Sequence, residues 1–222
     1  MGVRDVLRKS KAADGRIFAP TFLYKTIKEV GQYRVRLYSN PQAAQDEGAQ
    51  CKIVSWFWPV KGTKGIKRKL DDGTPEALKR AADAEAVRAT GDNEAANQIS
   101  STPEYWFNAV ETKIPTMMRV LDIHSEAQYK KLALAVAAEG GWKGTEYEDC
   151  DEFEDAFNNG WERVSGPNGK DIIITNKATK FWADKYAFRV TDKDNAVLPL
   201  GAESGLNLWA VALDEDGGNA AF

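Results

Sequence analysis

The sequence predicts an α+β fold that is mainly β with helical insertions. Alternating apolar and polar residues, the period of a half-buried strand, recur along the 222 residues. Stretches between these runs carry the residues that begin and end helices. The first predicted strand covers residues 32–38, where successive side chains point to opposite faces. One face is apolar, and the other carries Arg34, Arg36 and Tyr38.

Further strands are predicted at residues 51–58, 105–110, 117–123, 171–174 and 182–190. Residues 51–58 place Lys52, Trp56 and Trp58 on one face. Residues 182–190 return as the hairpin partner of 171–174, and they place Lys185 and Arg189 on one face. Cations therefore recur on one face of several predicted strands.

Two helices are predicted in an insert between the second and third strands. Thr74 is an N-cap followed by Pro75 at the first helical position, and this helix extends to about residue 90. Asp92 caps a second, short helix that ends at Ile99.

A third helix follows the strand at residues 117–123. Ser125 and Gln128 form a capping box, apolar residues recur at helical spacing, and Gly140 with Gly141 ends the helix. This helix is predicted to pack on the core.

The charge distribution is polarised along the chain. The formal net charge is −3, which on average disfavours a nucleic-acid-binding protein. Residues 1–36, however, carry nine Lys or Arg against three acids, whereas acids collect at residues 146–155 and in the last ten residues.

Cysteine and histidine are too scarce for a zinc site or a disulfide framework. The chain has two cysteines and one histidine, His124, whereas structural zinc takes about four such ligands. We therefore expect reduced thiols, no metal and no other cofactor, in a cytoplasmic protein. No apolar run approaches the length of a membrane span, so no membrane association is expected.

A basic segment follows the second strand. Its cations fall within nine positions and have no acid among them: Lys61, Lys64, Lys67, Arg68 and Lys69. Cations beside strands that carry aromatic residues are typical of a groove for a single nucleic acid strand, because cations contact phosphates and rings stack on bases. Alternatively, strand aromatics form the core and the Lys/Arg run is a solvated loop.

Seven acids lie in residues 146–155. A carboxylate cluster can hold metal ions for phosphodiester hydrolysis, but a solvated acidic loop is the favoured interpretation of this stretch.

About five strands with a capped helix after the fourth suit a five-stranded Greek-key barrel of the OB-fold type. The ordered pieces at residues 31–41, 84–96, 105–110, 119–123, 169–174 and 186–190 resemble the helix-destabilising single-stranded DNA-binding proteins of tailed bacteriophages. The resemblance spans roughly residues 31–190. A zinc module known in one branch of that family is not implied, since residues 61–101 contain no Cys or His.

The resemblance implies an OB-fold core and a non-catalytic protein. Its expected role is to bind single-stranded DNA without sequence preference during phage replication and recombination, in the cytoplasm of the infected host. The domain expectation is a basic arm at residues 1–16, a binding domain at 17–200 with its helical insert at about 74–100, and a tail at 201–222. The tail looks like acidic C-termini that bind phage or host replication proteins, through Asp214, Glu215, Asp216 and Phe222.

The candidate DNA contacts fall into two chemical classes. The expected phosphate contacts are Arg34, Arg36, Lys52, Lys61, Lys64, Lys67, Arg68, Lys69, Lys185 and Arg189. The expected stacking residues are Tyr38, Trp56, Trp58, Trp106 and Trp182. The alternatives are a metal-dependent nuclease that uses the 146–155 acids and a non-enzymatic interaction protein of the replisome or virion.

Overall fold

The computed structural model describes residues 27, 29–39, 50–57, 68–179, 184–192, 196–205 and 208. Within them the chain has an α+β fold with seven strands in a mostly antiparallel sheet and four α-helices. The predicted α+β class is confirmed, but the helices contain more of the described residues than the strands do, so the fold is not mainly β. Contacts define two compact units among these residues, one within 53–104 and a larger one within 27–52 and 105–208. None of the helices in the described ranges is long and apolar enough to cross a membrane.

The smaller unit contains a hairpin and two helices. Strand β2 (Lys52–Phe57) pairs antiparallel with β3 (Arg68–Asp71). Helix α1 spans Pro75–Ala89 and α2 spans Asn93–Ile99. Thr74 Oγ1 accepts from the Ala77 amide at 3.3 Å, and Asp92 Oδ1 accepts from the Ala95 amide at 2.8 Å. Both predicted N-caps are confirmed, whereas β3 lies where the sequence predicted the end of a basic loop.

The larger unit holds the remaining strands and helices. They are β1 (Gly31–Tyr38), β4 (Thr102–Glu111), β5 (Met118–Ile123), α3 (Glu126–Glu139), α4 (Asp151–Val164), β6 (Ile172–Asn176) and β7 (Tyr186–Val190). Strand β1 pairs antiparallel with β6 through residues 31–35 and with β4 through residues 35–38. Strand β5 pairs with β4, and β7 pairs with β6. Val35 is the residue at which β1 meets both neighbours.

The core of the larger unit lies between one face of these strands and the helices α3 and α4. Tyr105 of β4 stacks on Tyr129 of α3 with ring centroids 4.2 Å apart. The buried residues of this core include Val35, Leu37, Phe107, Leu121, Leu132, Val136, Trp161, Val164, Ile172 and Ile174. The apolar face of β1 and the core role of α3 are therefore as the sequence predicted.

Helix α4 contradicts the acidic loop expected at residues 146–155. Its first turn holds Asp151, Glu152 and Glu154, and acids at this end are favourable because the helix dipole is positive there. Its buried residues recur at helical spacing, at Phe153, Ala156, Gly160, Trp161 and Val164. The acids therefore begin an amphipathic helix.

Two glycines let α3 and α4 approach closely. A Cβ on Gly160 would lie 1.9 Å from the carbonyl oxygen of Val136, and one on Gly140 would lie 1.8 Å from that of Ala156. Real side chains do not tolerate such distances, so the two backbones can pack at this spacing only without side chains at both positions.

We predict that Gly160→Ala lowers the free energy of unfolding by about 1–3 kcal/mol or more, because the added methyl group must push α4 away from α3. Urea denaturation followed by circular dichroism measures the loss. Gly73→Ala is the matched control, since a Cβ at Gly73 meets nothing within 4 Å. Equal stability of the two variants would contradict the close-packing account.

A second prediction concerns Cys51, which packs against the core of the larger unit. Burial raises the pKa of the Cys51 thiol from 9.0 to about 12. Above pH 9 the unfolded thiol therefore releases its proton while the folded one keeps it, and stability falls as pH rises, by at most about 1.4 kcal/mol per pH unit. Denaturant midpoints between pH 8 and 10 should fall in the wild type and fall less in Cys51→Ala. Parallel curves would show that another group is responsible.

Candidate nucleic-acid interface

An exposed row of side chains crosses three strands on the face opposite the core. Arg34 of β1 pairs with Ile173 of β6, and Ile173 pairs with Arg189 of β7. Directly paired residues in antiparallel strands point to the same face. Two strand spacings separate the arginine backbones, which is about 10 Å. The side chains of Arg34 and Arg189 are 51% and 63% exposed.

The next row on this face is neutral and small. Gln32 pairs with Thr175, and Thr175 pairs with Ala187. Gln32 is exposed and the other two are half-buried. Together with Ile173 they form a surface of short or uncharged side chains beside the two arginines. Gln32 and Thr175 add hydrogen-bonding groups to this surface. We call the six residues of these two rows, including Ile173, the outer face.

Ion pairs leave both arginines accessible. Arg34 Nε lies 3.5 Å from Asp171 Oδ2, and Arg189 Nη1 lies 3.4 Å from Asp192 Oδ2, which is itself 89% exposed. Exposed pairs such as Arg189 with Asp192 contribute about 0–1 kcal/mol, so a phosphate can replace that carboxylate at little cost. Asp171 is only 3% exposed, but it has Arg36 as its closer partner at 2.8 Å. Lys185, beside β7, is half-buried with its Nζ 5.4 Å from the centre of the Tyr186 ring.

Arg36 does not belong to this surface, although it follows Arg34 on the same face of β1. It is 1% exposed, its Nη2 lies 2.8 Å from Asp171 Oδ1, and its Nη1 donates to the carbonyl oxygens of Pro167 and Ala196. The geometry gives Arg36 a structural role and does not support the phosphate contact that the sequence predicted. The pairing residues are remote in sequence, which is why alternation alone placed Arg36 outside.

Two expected stacking residues are also enclosed. Trp106 and Tyr38 have no exposed surface, and Tyr38 Oη donates to the carbonyl oxygen of Leu200 at 3.0 Å. Burial raises the pKa of Tyr38, against an opposing effect of Arg36. Neither ring is presented to a base in this structure, so both are left out of the proposed interface. Lys52, expected as a phosphate contact, is 3% exposed and is left out too.

The remaining expected contacts are divided between described and undescribed parts of the chain. Trp56 is half-buried in β2. The backbones of Arg68 and Lys69 pair with Phe57 and Trp56, but their side chains lie outside the described part. Wholly outside the described residues lie Trp58, Lys61, Lys64, Lys67, Trp182, Asp214, Glu215, Asp216 and Phe222.

The acids of residues 146–155 do not form a cluster of metal ligands. Among the residues that the structure describes, no three of them bring carboxylate oxygens within 4.8 Å of one another. The arrangement therefore offers no support for the nuclease alternative. The single histidine lies elsewhere, with its Nε2 2.6 Å from Oδ2 of the buried Asp122.

The sequence did not single out Ile173, Gln32, Thr175 or Ala187. What makes them part of a surface is the cross-strand register, which brings residues about 140 positions apart into one row. Alternation within each strand indicated the outward side but gave no information about which strands are neighbours.

No protein-family model matches this chain, and a search of the curated proteins finds no match.

The contrast between Arg34 and Arg36 gives a stability prediction. Arg36→Met leaves the buried Asp171 carboxylate without its closest partner, so we expect a loss of about 3–5 kcal/mol in the free energy of unfolding. Arg34→Met removes only the longer contact of Asp171, which Arg36 still pairs, and should cost about 1 kcal/mol. Urea denaturation compares the two variants, and similar losses would refute the assignment of different roles.

Proposed function

We propose that the protein binds single-stranded DNA without sequence preference and has no catalytic activity. The observation that supports this most directly is the outer face, where Arg34 and Arg189 flank the half-buried Ile173 on an accessible sheet surface. Proteins that bind single strands combine a positively charged groove with aromatic side chains on which bases stack. The arginines of the outer face supply the cations, and Ile173 supplies an apolar contact between them. The resemblance to phage helix-destabilising proteins favours a role in replication and recombination within an infected bacterial cell.

The proposed path of the strand runs from the outer face toward the β6–β7 connection. That connection brings Lys177, which is exposed, and Lys185 close to the end of the face. Trp182 lies in the same connection by sequence and is the proposed stacking residue there. The basic segment with Lys61, Lys64 and Lys67 is proposed to contribute further phosphate contacts.

We further propose that the sheet is an elaborated barrel of the OB type. Strand β1 supports this, since its first half pairs with β6 and its second half with β4. In small barrels and orthogonal sheets, strands that exchange one partner for another form the corners. The acidic residues Asp214, Glu215 and Asp216, with Phe222, are proposed to bind replication proteins.

Salt dependence tests this proposal sharply. Titration of fluorescein-labelled oligo-dT by anisotropy should give an affinity that falls with salt, because each neutralised phosphate adds about −0.7 to the slope of log K against log[salt]. Arg34→Met and Arg189→Met should each reduce the slope by about 0.7. The matched control is Arg163→Met, an exposed residue of α4 on the helical side of the sheet, which should leave the slope unchanged.

Two results would overturn the proposal. One is the absence of binding to oligo-dT by the folded wild-type protein at low salt. The other is a reduction of the slope by Arg163→Met that equals the effect of Arg34→Met, which would indicate only general attraction to net charge.

A further inference from the structure

A cavity of about 280 Å³ lies beside the start of α4 and the middle of α3, within the larger unit. Four of the side chains that line it are aromatic, and they come from both helices and the connection between them. These rings belong to Tyr129, Tyr147, Phe153 and Phe157. The cavity lies on the helical side of the sheet, whereas the outer face lies on the other side, so the proposed DNA contacts do not use it.

The aromatic walls are fixed by packing. Phe153 is buried and meets the ring of Tyr147 edge-on, with centroids 4.8 Å apart. Trp142 packs edge-on against the same Phe153 ring at 5.2 Å, and its Nε1 donates to the carbonyl oxygen of Glu146 at 3.2 Å. Because these contacts hold the rings in place, the cavity does not have to be formed by a ligand.

The rim of the cavity is negatively charged. Its exposed carboxylates are Glu148, Asp149, Asp151 and Glu154, and none of the residues that line the cavity is basic. The start of α4 contributes a positive helix dipole, but this is equivalent to only about half a charge. Four carboxylates outweigh it, so the cavity attracts a cation and repels a phosphate.

The Tyr147 ring already contacts one ammonium group. Nζ of Lys130 lies 5.1 Å from its centroid while bound to Glu126 Oε1 at 2.5 Å. Lys130 adds one positive charge beside the cavity, which leaves the four carboxylates in excess, and its position shows that a face of the Tyr147 ring can contact a cation. Gln50 and Asn158 add neutral polar atoms to the lining, with Gln50 Nε2 donating to Asn158 Oδ1 at 3.2 Å.

We propose that this cavity binds an arginine side chain of a partner protein. Its volume is just below the range of about 300–1,000 Å³ that is usual for small-molecule sites, which suits one long side chain. A guanidinium group is planar, stacks on aromatic rings and donates hydrogen bonds to carboxylates. Aromatic rings and carboxylates in one lining match both properties, and this inference does not depend on the proposed DNA binding.

The test uses the full chain without DNA and the tripeptide acetyl-Gly-Arg-Gly-amide as the probe. Proton–nitrogen NMR spectra should show shifts of backbone amides in residues 129–133 and 147–158. The citrulline tripeptide has nearly the same shape as the arginine tripeptide but no charge, so it should not change the chemical shifts of these amides. Equal shifts with both peptides, or none with arginine at 20 mM, would overturn the proposal.

Variants separate the charge from the rings. Asp149→Asn with Glu154→Gln should weaken arginine binding about ten-fold, and Tyr147→Leu should weaken it about three- to thirty-fold. The matched control is Asp155→Asn with Glu162→Gln, which removes two exposed acids of α4 that do not line the cavity and should leave binding unchanged. Far-ultraviolet circular dichroism and urea denaturation check that each variant is folded.

Two further outcomes would overturn the proposal. If the control variant weakens binding as much as Asp149→Asn with Glu154→Gln, the interaction is general charge attraction. If the same amides shift with protein concentration alone, a second copy of the chain occupies the cavity instead of a partner. Oligo-dT binding is measured separately with these variants. If the protein does not bind DNA, the arginine-binding result can still be interpreted on its own.

Discussion

Strand β1 must pair with two different neighbours, and the larger unit depends on that constraint. Its first half pairs with β6 and its second half with β4, with Val35 bonded into both ladders. One face of β1 must therefore be apolar throughout, because the core lies under both halves. The other face meets different surroundings along its length, and this difference decides which of its cations are accessible.

The outward face of β1 is exposed at its start and covered at its end. Gln32 and Arg34 reach solvent, whereas Arg36 and Tyr38 lie beneath residues 167 and 196–200. Burial of the Arg36 guanidinium is tolerated because Asp171 and two carbonyl oxygens bind it, as a buried charge requires. The same buried carboxylate also lies beside Arg34, so the structural pair and the proposed binding surface share one acid.

On the core side, the close approach of α3 and α4 determines the shape of the helical layer. Gly160 brings the α4 backbone against Val136, and Phe153 then packs with Ala133 and Ala137 of α3. The acidic first turn of α4 lies at the edge of this contact. The acids there have two effects. They interact favourably with the positive end of the helix dipole, and they make the adjoining cavity negatively charged.

The sequence predicted the local features well and the non-local ones poorly. The caps at Thr74, Asp92 and Ser125 were found because a side chain there bonds to an amide three residues away. Helix α4 was missed because its acids and Gly160 resemble a loop, although the apolar spacing was present. Burial of Arg36 and Tyr38 arises from contacts 131 to 162 residues distant, and a pattern within one strand carries no information about them.

The contacts of Arg36 and Tyr38 have a consequence for the far end of the chain. Arg36 and Tyr38 donate hydrogen bonds to the carbonyl oxygens of Ala196 and Leu200, which holds this part of the backbone against the sheet. Leu208 is buried as well. A chain shortened before Ala196 would therefore leave the buried Arg36 guanidinium and the Tyr38 hydroxyl without these acceptors. The second half of β1 thus depends on residues about 160 positions further along the chain.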